Sequence, residues 1–414
     1  MNIIIIGGGI IGLSSAYYLQ QSGHQVTVID KGDMEDGCSY GNAGYVCPSH
    51  FVPMATPGIV KQGLKWMLNA KSPFYVQPSL SWSLVDWGMK FIRSANMKHV
   101  DSSAIPLRDI SALSQQLYVE WSNLPIFNFS YQHKGLLEIF QTEEAAHHAE
   151  GSVEKARQLG IDVELLDYNQ LQQLESQKID ALGAIYFKCD AHLNPNQLMR
   201  DLKDHLRAQG VKFILNEEVT GFAKKGNKIA AVVTPQGRYE TEQVIVATGS
   251  WSRHLAAKLD LKLPLMPGRG YSVTLDNPGF SFNHPAILIE RRVAVTPISE
   301  TRVRFGGTME ITSTKTPPKW KRVEGIIDSV KHYFPEVNIS IKKEDAIWYG
   351  YRPCSADGLP YIGRLSKFSN CILATGHSMV GLSLGAGTGK LVAELANGAQ
   401  TSIDISAFDP ERFD

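Results

Sequence analysis

The 414-residue sequence has no excess charge of either sign, few cysteines, and no long apolar run free of turn residues. Lys plus Arg number 41 and Asp plus Glu number 41, so no net field favours nucleic acid or another polyanion. The five cysteines, Cys38, Cys47, Cys189, Cys354 and Cys371, are odd in number and never fall at C-x-x-C spacing. That pattern argues against a disulfide framework and against a zinc site, and it predicts a reducing setting. The uncharged stretch from Cys371 to Gly389 is broken by glycines, Ser, Thr and His, so it predicts a strand, a turn and a helix within a folded core rather than a membrane span. An apolar run starting at Ile3 leaves no room for a signal peptide, which predicts a cytoplasmic protein. The length asks for two or three domains.

What the sequence does have begins at its first residues, MNIIIIGGGIIG. Ile3 to Ile6 are too few to cross a membrane and too β-branched for a good helix, so they read as a strand buried on both faces. Gly7, Gly9 and Gly12 then fit G-x-G-x-x-G around Ile10 and Ile11. Gly7 permits the tight turn, Gly9 lets backbone approach a pyrophosphate, and Gly12 lets the next helix sit close to the sheet. A helix from Ile10 to Gln21 closes at Ser22-Gly23, and a second strand, Gln25 to Ile29, ends at Asp30. This βαβ order predicts a dinucleotide cradle, with the helix N-terminus facing the pyrophosphate and the Asp30 carboxylate facing ribose hydroxyls.

Farther along, helical patterns are expected at Val60 to Leu68, Trp82 to Arg93 and Leu107 to Ser122. Strands are expected at Gly135 to Phe140, Gly183 to Phe187, Gly270 to Thr274, Ala286 to Ile289 and Arg302 to Phe305, as a mixed, largely antiparallel sheet. Between and after them lie pieces that belong with the opening unit: a helix from Asn194 to about Gly210, strands at Val211 to Leu215, Val244 to Ala247 and Cys371 to Ala374, and a helix from about Ser383 to Ala396. The nucleotide domain is therefore expected to be discontinuous. In the Trp82 helix, Trp82, Val85, Met89 and Ile92 share a face, which is read as packing on the protein's own second domain in preference to an acceptor or membrane surface.

Five stretches carry a family resemblance: the opening GGGIIG, YGNAGYV at 40 to 46, VIVATGSW at 244 to 251, PGRGYSV at 267 to 273, and the block GYRPCSADGLPYIG through GHSMVGLSLGAGTGKLVAEL at 350 to 395. On these the chain resembles the D-amino-acid oxidase and glycine oxidase superfamily of FAD enzymes, above all its bacterial D-amino-acid dehydrogenase branch. The resemblance implies an α/β protein, α+β overall, with a discontinuous Rossmann-like FAD-binding domain (1–49, 190–262 and 344–414). A mostly antiparallel substrate domain (50–189 and 263–343) completes it.

Position by position, it implies that Gly7, Gly9 and Gly12, with Ile10 and Ile11 between them, hold the FAD pyrophosphate, and that Asp30 with its neighbour Lys31 meets the adenosine ribose. Val219 corresponds to a residue beside adenine, and Thr248, Gly249 and Trp251 to the turn after the inner strand. Asn42, Ala43 and Gly44 correspond to the turn along the isoalloxazine. Gly376, His377, Gly381 and Leu382 correspond to the segment facing the flavin pyrimidine edge, where a helix N-terminus stabilises negative charge. Arg352, in the R-P motif, is implied to fork onto the substrate carboxylate, the alternative being a salt bridge. Tyr271 is read as either a substrate contact or sheet packing, Tyr45 as either pocket wall or scaffold, and His377 as a backbone element in preference to a general base.

Departures from relatives are informative too. Gly350 stands where sarcosine oxidases carry the cysteine that attaches flavin, so the FAD is expected to be non-covalent. Met379 stands where glycine oxidase has an arginine, which disfavours glycine as substrate. The implied reaction is oxidation of a D-amino acid to a 2-oxo acid and ammonia, with hydride passing from Cα to flavin N5 and electrons leaving to a quinone or respiratory chain, from a cytoplasmic site with peripheral membrane association in view. The alternatives are a cyclic D-imino acid such as D-proline or D-hydroxyproline, and, in another class, an FAD module acting on RNA.

Overall fold

A computed structural model describes residues 1–61, 63, 72–78, 81–341 and 348–414. Most of the helical pattern expected at Val60 to Leu68 lies outside the described residues.

The four opening isoleucines occupy the middle of a six-stranded sheet. Its strand order is Tyr361–Arg364, Cys371–Thr375, Gln243–Val246, Asn2–Ile6, Gln25–Ile29 and Lys212–Ile214, parallel throughout except at Tyr361–Arg364. Because side chains alternate along a strand, Ile3 and Ile5 bury in one core and Ile4 and Ile6 in another. The first core is capped by the helices Ile10–Gln21, Pro195–Ala208 and Gly385–Asn397 and by part of Met97–Ser122; the second lies toward the three-stranded sheet of Gly221–Lys225, Lys228–Thr234 and Gly237–Glu240. Strands from widely separated stretches thus share one sheet.

The helices Ile10–Gln21 and Gly385–Asn397 pack with almost no gap. A Cβ at Gly389 would stand 2.5 Å from the backbone of Ser14, and one at Gly385 would stand 2.6 Å from Ile10. Gly385 and Gly389, in the uncharged 371–389 stretch, are therefore contact points between helices. Among the described residues no helix is long and apolar enough to cross a membrane.

The second sheet runs Trp348–Ser355, Leu265–Asp276, Arg302–Ile311, Val293–Ser299, Ala286–Leu288, Leu136–Phe140, Gly183–Phe187 and Val163–Asp167, with Phe74–Val76 beside Arg302–Ile311. It is mostly antiparallel, with parallel pairs at Ala286–Leu288 against Leu136–Phe140 and at Phe74–Val76. The helix Trp320–Tyr333 covers one face over a core of Tyr271, Val293, Phe305, Ile326 and Val330. A short ladder, Tyr45↔His192 and Val46↔Ala191, runs between the two sheets.

One expectation is corrected. The helix Trp82–Ser94 buries Trp87 and Phe91, not the face proposed for packing; Trp82 is 76% exposed and Ile92 58% exposed. Trp87 and Phe91 stack with ring centroids 5.0 Å apart, and the Trp87 indole donates to the Cys354 carbonyl, so a narrow aromatic edge anchors the helix and leaves its aliphatic face to solvent.

Candidate functional site

Two steric constraints shape the glycine turn. Gly7 has φ +106°, and a Cβ there would meet the Ala247 carbonyl oxygen at 2.5 Å. A Cβ at Gly12 would lie 1.8 Å from the Gly7 carbonyl oxygen, which no side-chain motion relieves. Gly9 differs, since a Cβ there would meet only Ser39 Oγ at 3.6 Å, so its open side is toward the cradle. Asp30 holds the turn: its Oδ2 accepts from the Gly8 N–H at 2.7 Å and its Oδ1 from the Gly32 N–H at 2.8 Å. Each oxygen retains a second lone pair for a ribose hydroxyl. Ser39 Oγ accepts from the Ile10 N–H at 3.0 Å at the start of the helix, a contact that no local motif announces.

At the far end of the cradle the Lys31 ammonium lies 3.5 Å over the Trp251 ring, near buried Val219. Gly249, at φ +53°, allows the chain to turn there, and a hydroxyl chain fixes the turn: Thr248 Oγ1 and Ser252 Oγ are 3.0 Å apart, Ser252 Oγ donates to Thr375, and Thr375 Oγ1 donates to the Gly249 carbonyl. The ends of the strands Gln243–Val246 and Cys371–Thr375 are thereby joined above the sheet.

Asn42, Ala43 and Gly44 form a turn in which Asn42 Oδ1 accepts from the Gly44 N–H at 2.8 Å. Gly44 has φ +87°, and a Cβ would strike the Leu193 carbonyl oxygen at 2.3 Å. From the second sheet, buried Arg304 supports this turn, donating to the Asn42 carbonyl at 2.7 Å and the Tyr40 carbonyl at 2.9 Å. Tyr45 points into that same sheet, its hydroxyl within hydrogen-bond reach of the Ala286 and Val295 carbonyls, and burial pushes its pKa well up so that it stays a donor.

Arg352 lies on the face of the Trp348–Ser355 strand that looks onto residues 36–41. On that face a Cβ at Gly350 would approach Cys38 Cα at 3.0 Å, and one at Gly41 would overlap the Trp348 indole. The Arg352 side chain crosses Gly270, where a Cβ would stand 2.3 Å from the guanidinium carbon. Its Nη1 donates to the Thr308 carbonyl at 2.6 Å; among the described residues its Nε–Nη2 edge has no hydrogen-bond partner and no carboxylate reaches it. The salt-bridge alternative finds no partner there. Nearby, Ser378 N–H donates to the Pro353 carbonyl, and among the described residues the buried Thr308 Oγ1, His377 Nδ1 and Ser378 Oγ have no partner.

Tyr271 is not brought to Arg352. Side chains alternate, so Tyr271 projects from the opposite face of the sheet to Gly270 and Arg352. There its hydroxyl donates to Glu310 Oε2 at 2.6 Å, within a buried cluster in which Glu310 also pairs with Arg269 at 2.8 Å and Arg322 at 3.2 Å. Burial alone would raise the Glu310 carboxyl, but the hydrogen bonds from Tyr271 and Arg269 and the two guanidinium charges hold it below its ordinary range. Its place in this core accounts for Tyr271 as packing.

The remaining residues of the glycine-rich segment come together at one sheet end. Gly376, at φ +79°, packs on the Tyr361 ring, Gly381 approaches the His377 Cβ, and the Leu382 carbonyl accepts from the Tyr118 hydroxyl at 2.6 Å. The His377 Nε2 is 3.0 Å from Thr388 Oγ1, and burial drives its pKa down to about 3. It is neutral and a very weak base, which leaves little scope for proton abstraction.

A glycine cradle with an acidic strand end, roofed by an antiparallel sheet that presents an arginine, defines a dinucleotide-dependent enzyme. Residues 2–395 match the family described as FAD dependent oxidoreductase, and the chain belongs to that family. It is 30% identical over 420 residues to D-amino acid dehydrogenase of Vibrio atlanticus (strain LGP32), covering 100% of both chains. Its fold is similar to that of glycine oxidase from Geobacillus kaustophilus, with TM-score 0.76 and 23% identity over 100% of this chain and 98% of the other. L-proline dehydrogenase from P. horikoshii is similar in fold at TM-score 0.75 and 20% identity, over 100% and 97% of the two chains. The open side of Gly9, the free lone pairs of Asp30 and the partnerless polar atoms around Arg352 fit the FAD that this family uses.

Proposed function

We propose that the chain oxidises D-amino acids at the α-carbon, giving an imino acid that water converts to a 2-oxo acid and ammonia. The observation that carries this reading is the Arg352 guanidinium with its Nε–Nη2 edge unpartnered among the described residues, on a strand whose next residue, Pro353, accepts from the Ser378 N–H of the segment assigned to the flavin edge. That edge is the one that accepts a carboxylate in two parallel hydrogen bonds. Bound FAD supplies the acceptor for the α-hydrogen, taken as hydride.

The chain's own residues then act by binding and orientation. Thr308 fixes one end of the guanidinium through its carbonyl, so that the free edge sets the plane of the substrate carboxylate and with it the direction of the Cα–H bond. Glycines at 268, 270 and 350 keep side chains out of the space beside it. The D-amino acid dehydrogenase relative supports the substrate class, and the exposed Met379 supports a substrate larger than glycine. We take residues 1–49, 190–262 and 344–414 as the cofactor domain and the rest as the substrate domain.

The aliphatic face of the Trp82–Ser94 helix supports a peripheral membrane contact through which electrons pass to a quinone, with Trp82 at the interface.

Anaerobic mixing of the yellow protein with separate pools of D- and L-amino acids tests the substrate reading. Bleaching by the D pool alone is expected. Bleaching by D-proline or D-hydroxyproline alone redirects it to cyclic imino acids, and bleaching by the L pool overturns it.

A further inference from the structure

Just beyond the flavin-facing turn lies a group of side chains for which the oxidation has no use. Cys47-Pro48-Ser49-His50 closes on itself through a hydrogen bond from the His50 N–H to the Cys47 carbonyl at 3.2 Å. This turn brings Cys47 Sγ and a His50 ring nitrogen together with an Asp190 carboxylate oxygen, all within 4.8 Å of one another. Asp190 is 0% exposed and Cys47 2% exposed, while His50 is half-buried and gives access from solvent.

The turn that carries Asp190, between the strands Gly183–Phe187 and Ala191–His192, is fixed independently. The Cys189 carbonyl accepts from Gln115 at 2.6 Å and His133 at 3.1 Å, and the Gly135 N–H donates to the Asp190 carbonyl at 2.9 Å. The Asp190 carboxylate itself meets only neutral donors: the Ser49 N–H at 3.1 Å, the Ser49 hydroxyl at 2.5 Å and Cys189 Sγ at 3.4 Å. Among the described residues no lysine or arginine forms an ion pair with it. A fully buried carboxylate is costly unless a cation or a metal ion accompanies it.

We propose that Cys47, His50 and Asp190 form a zinc-binding site, with Cys189 beside the same carboxylate as the candidate fourth ligand. The donor set selects the metal. Thiolate and imidazole suit zinc and disfavour magnesium and calcium, which take oxygen. Tetrahedral zinc bonds of roughly 2.0–2.3 Å set ligand atoms somewhat under 4 Å apart, which small side-chain rotations reach from the observed spread. Binding replaces the Cys47 thiol proton, which leaves to solvent, and puts a divalent cation beside the buried carboxylate.

The site is structural. It fastens the segment after the flavin turn to the 188–190 turn, next to the Tyr45↔His192 ladder, and the Cys47 N–H also bonds Ser383 Oγ at 2.9 Å at the entry of the glycine-rich helix. Metal therefore stabilises the flavin turn from behind without touching substrate.

Two measurements on the full-length holoprotein, purified without chelator, test the site using zinc and cobalt ions alone as probes. Elemental analysis after gel filtration is expected to find one zinc per chain, or to reach that on adding zinc, with a rise in melting temperature. Cobalt in its place is expected to give intense tetrahedral bands on the long-wavelength side of the flavin absorption. His50→Gln, at a half-buried position that the fold tolerates, is expected to keep its flavin and its metal-free melting temperature while losing the zinc and the zinc-dependent rise. Cys47→Ala is expected to remove the cobalt bands. Wild-type protein that takes up neither metal overturns the proposal, as does metal that both variants retain.

Discussion

Arg304 reaches out of the second sheet to hold Asn42 in place, its Nη1 donating to the Asn42 carbonyl at 2.7 Å. The same guanidinium donates to the Tyr40 carbonyl, to Thr274 Oγ1 at 2.9 Å and to Asn196 Oδ1 at 2.7 Å, and among the described residues its charge is compensated by these dipoles and by no carboxylate. Burial, with Arg302 adding like charge, brings its pKa down to about 10, so it stays protonated at neutral pH. Arg304→Met should strand these acceptors and cost about 2–4 kcal/mol in a denaturant titration. FAD retained per chain after gel filtration should fall with it. Arg304→Lys, which keeps the charge without the fork, should recover only part of both.

Arg352 should be sensitive to shape as well as charge. Arg352→Lys should lower kcat/KM by about 3 kcal/mol, because one ammonium cannot hold the carboxylate plane. Gly270→Ala is the subtler probe. Its Cβ would occupy the present place of the guanidinium, the mobile end of a flexible side chain, so the protein should fold with near-native stability while KM rises as Arg352 is displaced. Near-native steady-state kinetics in both variants would show that the carboxylate binds elsewhere.

The glycine turn offers a graded pair. Gly12→Ala forces a Cβ against the Gly7 carbonyl oxygen, backbone on backbone, and should fail to retain FAD and lose stability. Gly9→Ala meets only Ser39 Oγ at 3.6 Å, so the metal- and flavin-free chain should melt as wild type while FAD binds more weakly. Equal melting of the two apo variants would break this steric ranking. Acid precipitation of the wild type should release all the flavin, since Gly350 offers no attachment point.

Buried His377 should contribute to acid lability. It is held neutral down to about 3, whereas the unfolded chain protonates it near 6.5. Above 6.5 its contribution is fully present; as pH falls from 6.5 toward 3 the unfolded state takes a proton that the native state refuses, costing up to about 1.4 kcal/mol per pH unit. His377→Asn should flatten the stability profile in that window, as followed by denaturant midpoints between pH 4 and 7. The acid limb of kcat should be unmoved if, as its weak basicity implies, His377 abstracts no proton.

How much of this was legible beforehand depended on the separation along the chain. Ile3–Ile6, the glycines and Asp30 are local, and their meaning follows from strand periodicity and backbone sterics alone. The β-pattern found many strands of the second sheet, but not their order, since Ala286–Leu288 pairs in parallel with Leu136–Phe140 far upstream. Arg302 and Arg304 share one strand parity, and nothing in R-V-R-F tells which of them lies beneath the Asn42–Gly44 turn. Tyr271 and Arg352 could be placed on opposite faces only once Gly270 was known to pair with Gly350. A search for C-x-x-C passed over the C-x-x-H turn at Cys47, whose third neighbour, Asp190, is remote in sequence.

The exposed face of the Trp82–Ser94 helix is the most direct test of where the electrons go. Trp82, Val85, Met89 and Ile92 present apolar surface, anchored from behind by Trp87 and Phe91. Basic Arg93 and Lys98 flank its end, which favours an anionic bilayer surface. Wild-type protein should sediment with vesicles containing anionic lipid and should reduce a quinone analogue faster in their presence, and faster than it consumes oxygen. The double change Trp82→Ser and Ile92→Ser should abolish sedimentation and the vesicle effect while leaving turnover with a soluble dye unchanged. Vesicle binding that persists in the double variant would assign the contact to another surface, and stoichiometric hydrogen peroxide at full rate in air, with no gain from dye, would make oxygen the acceptor.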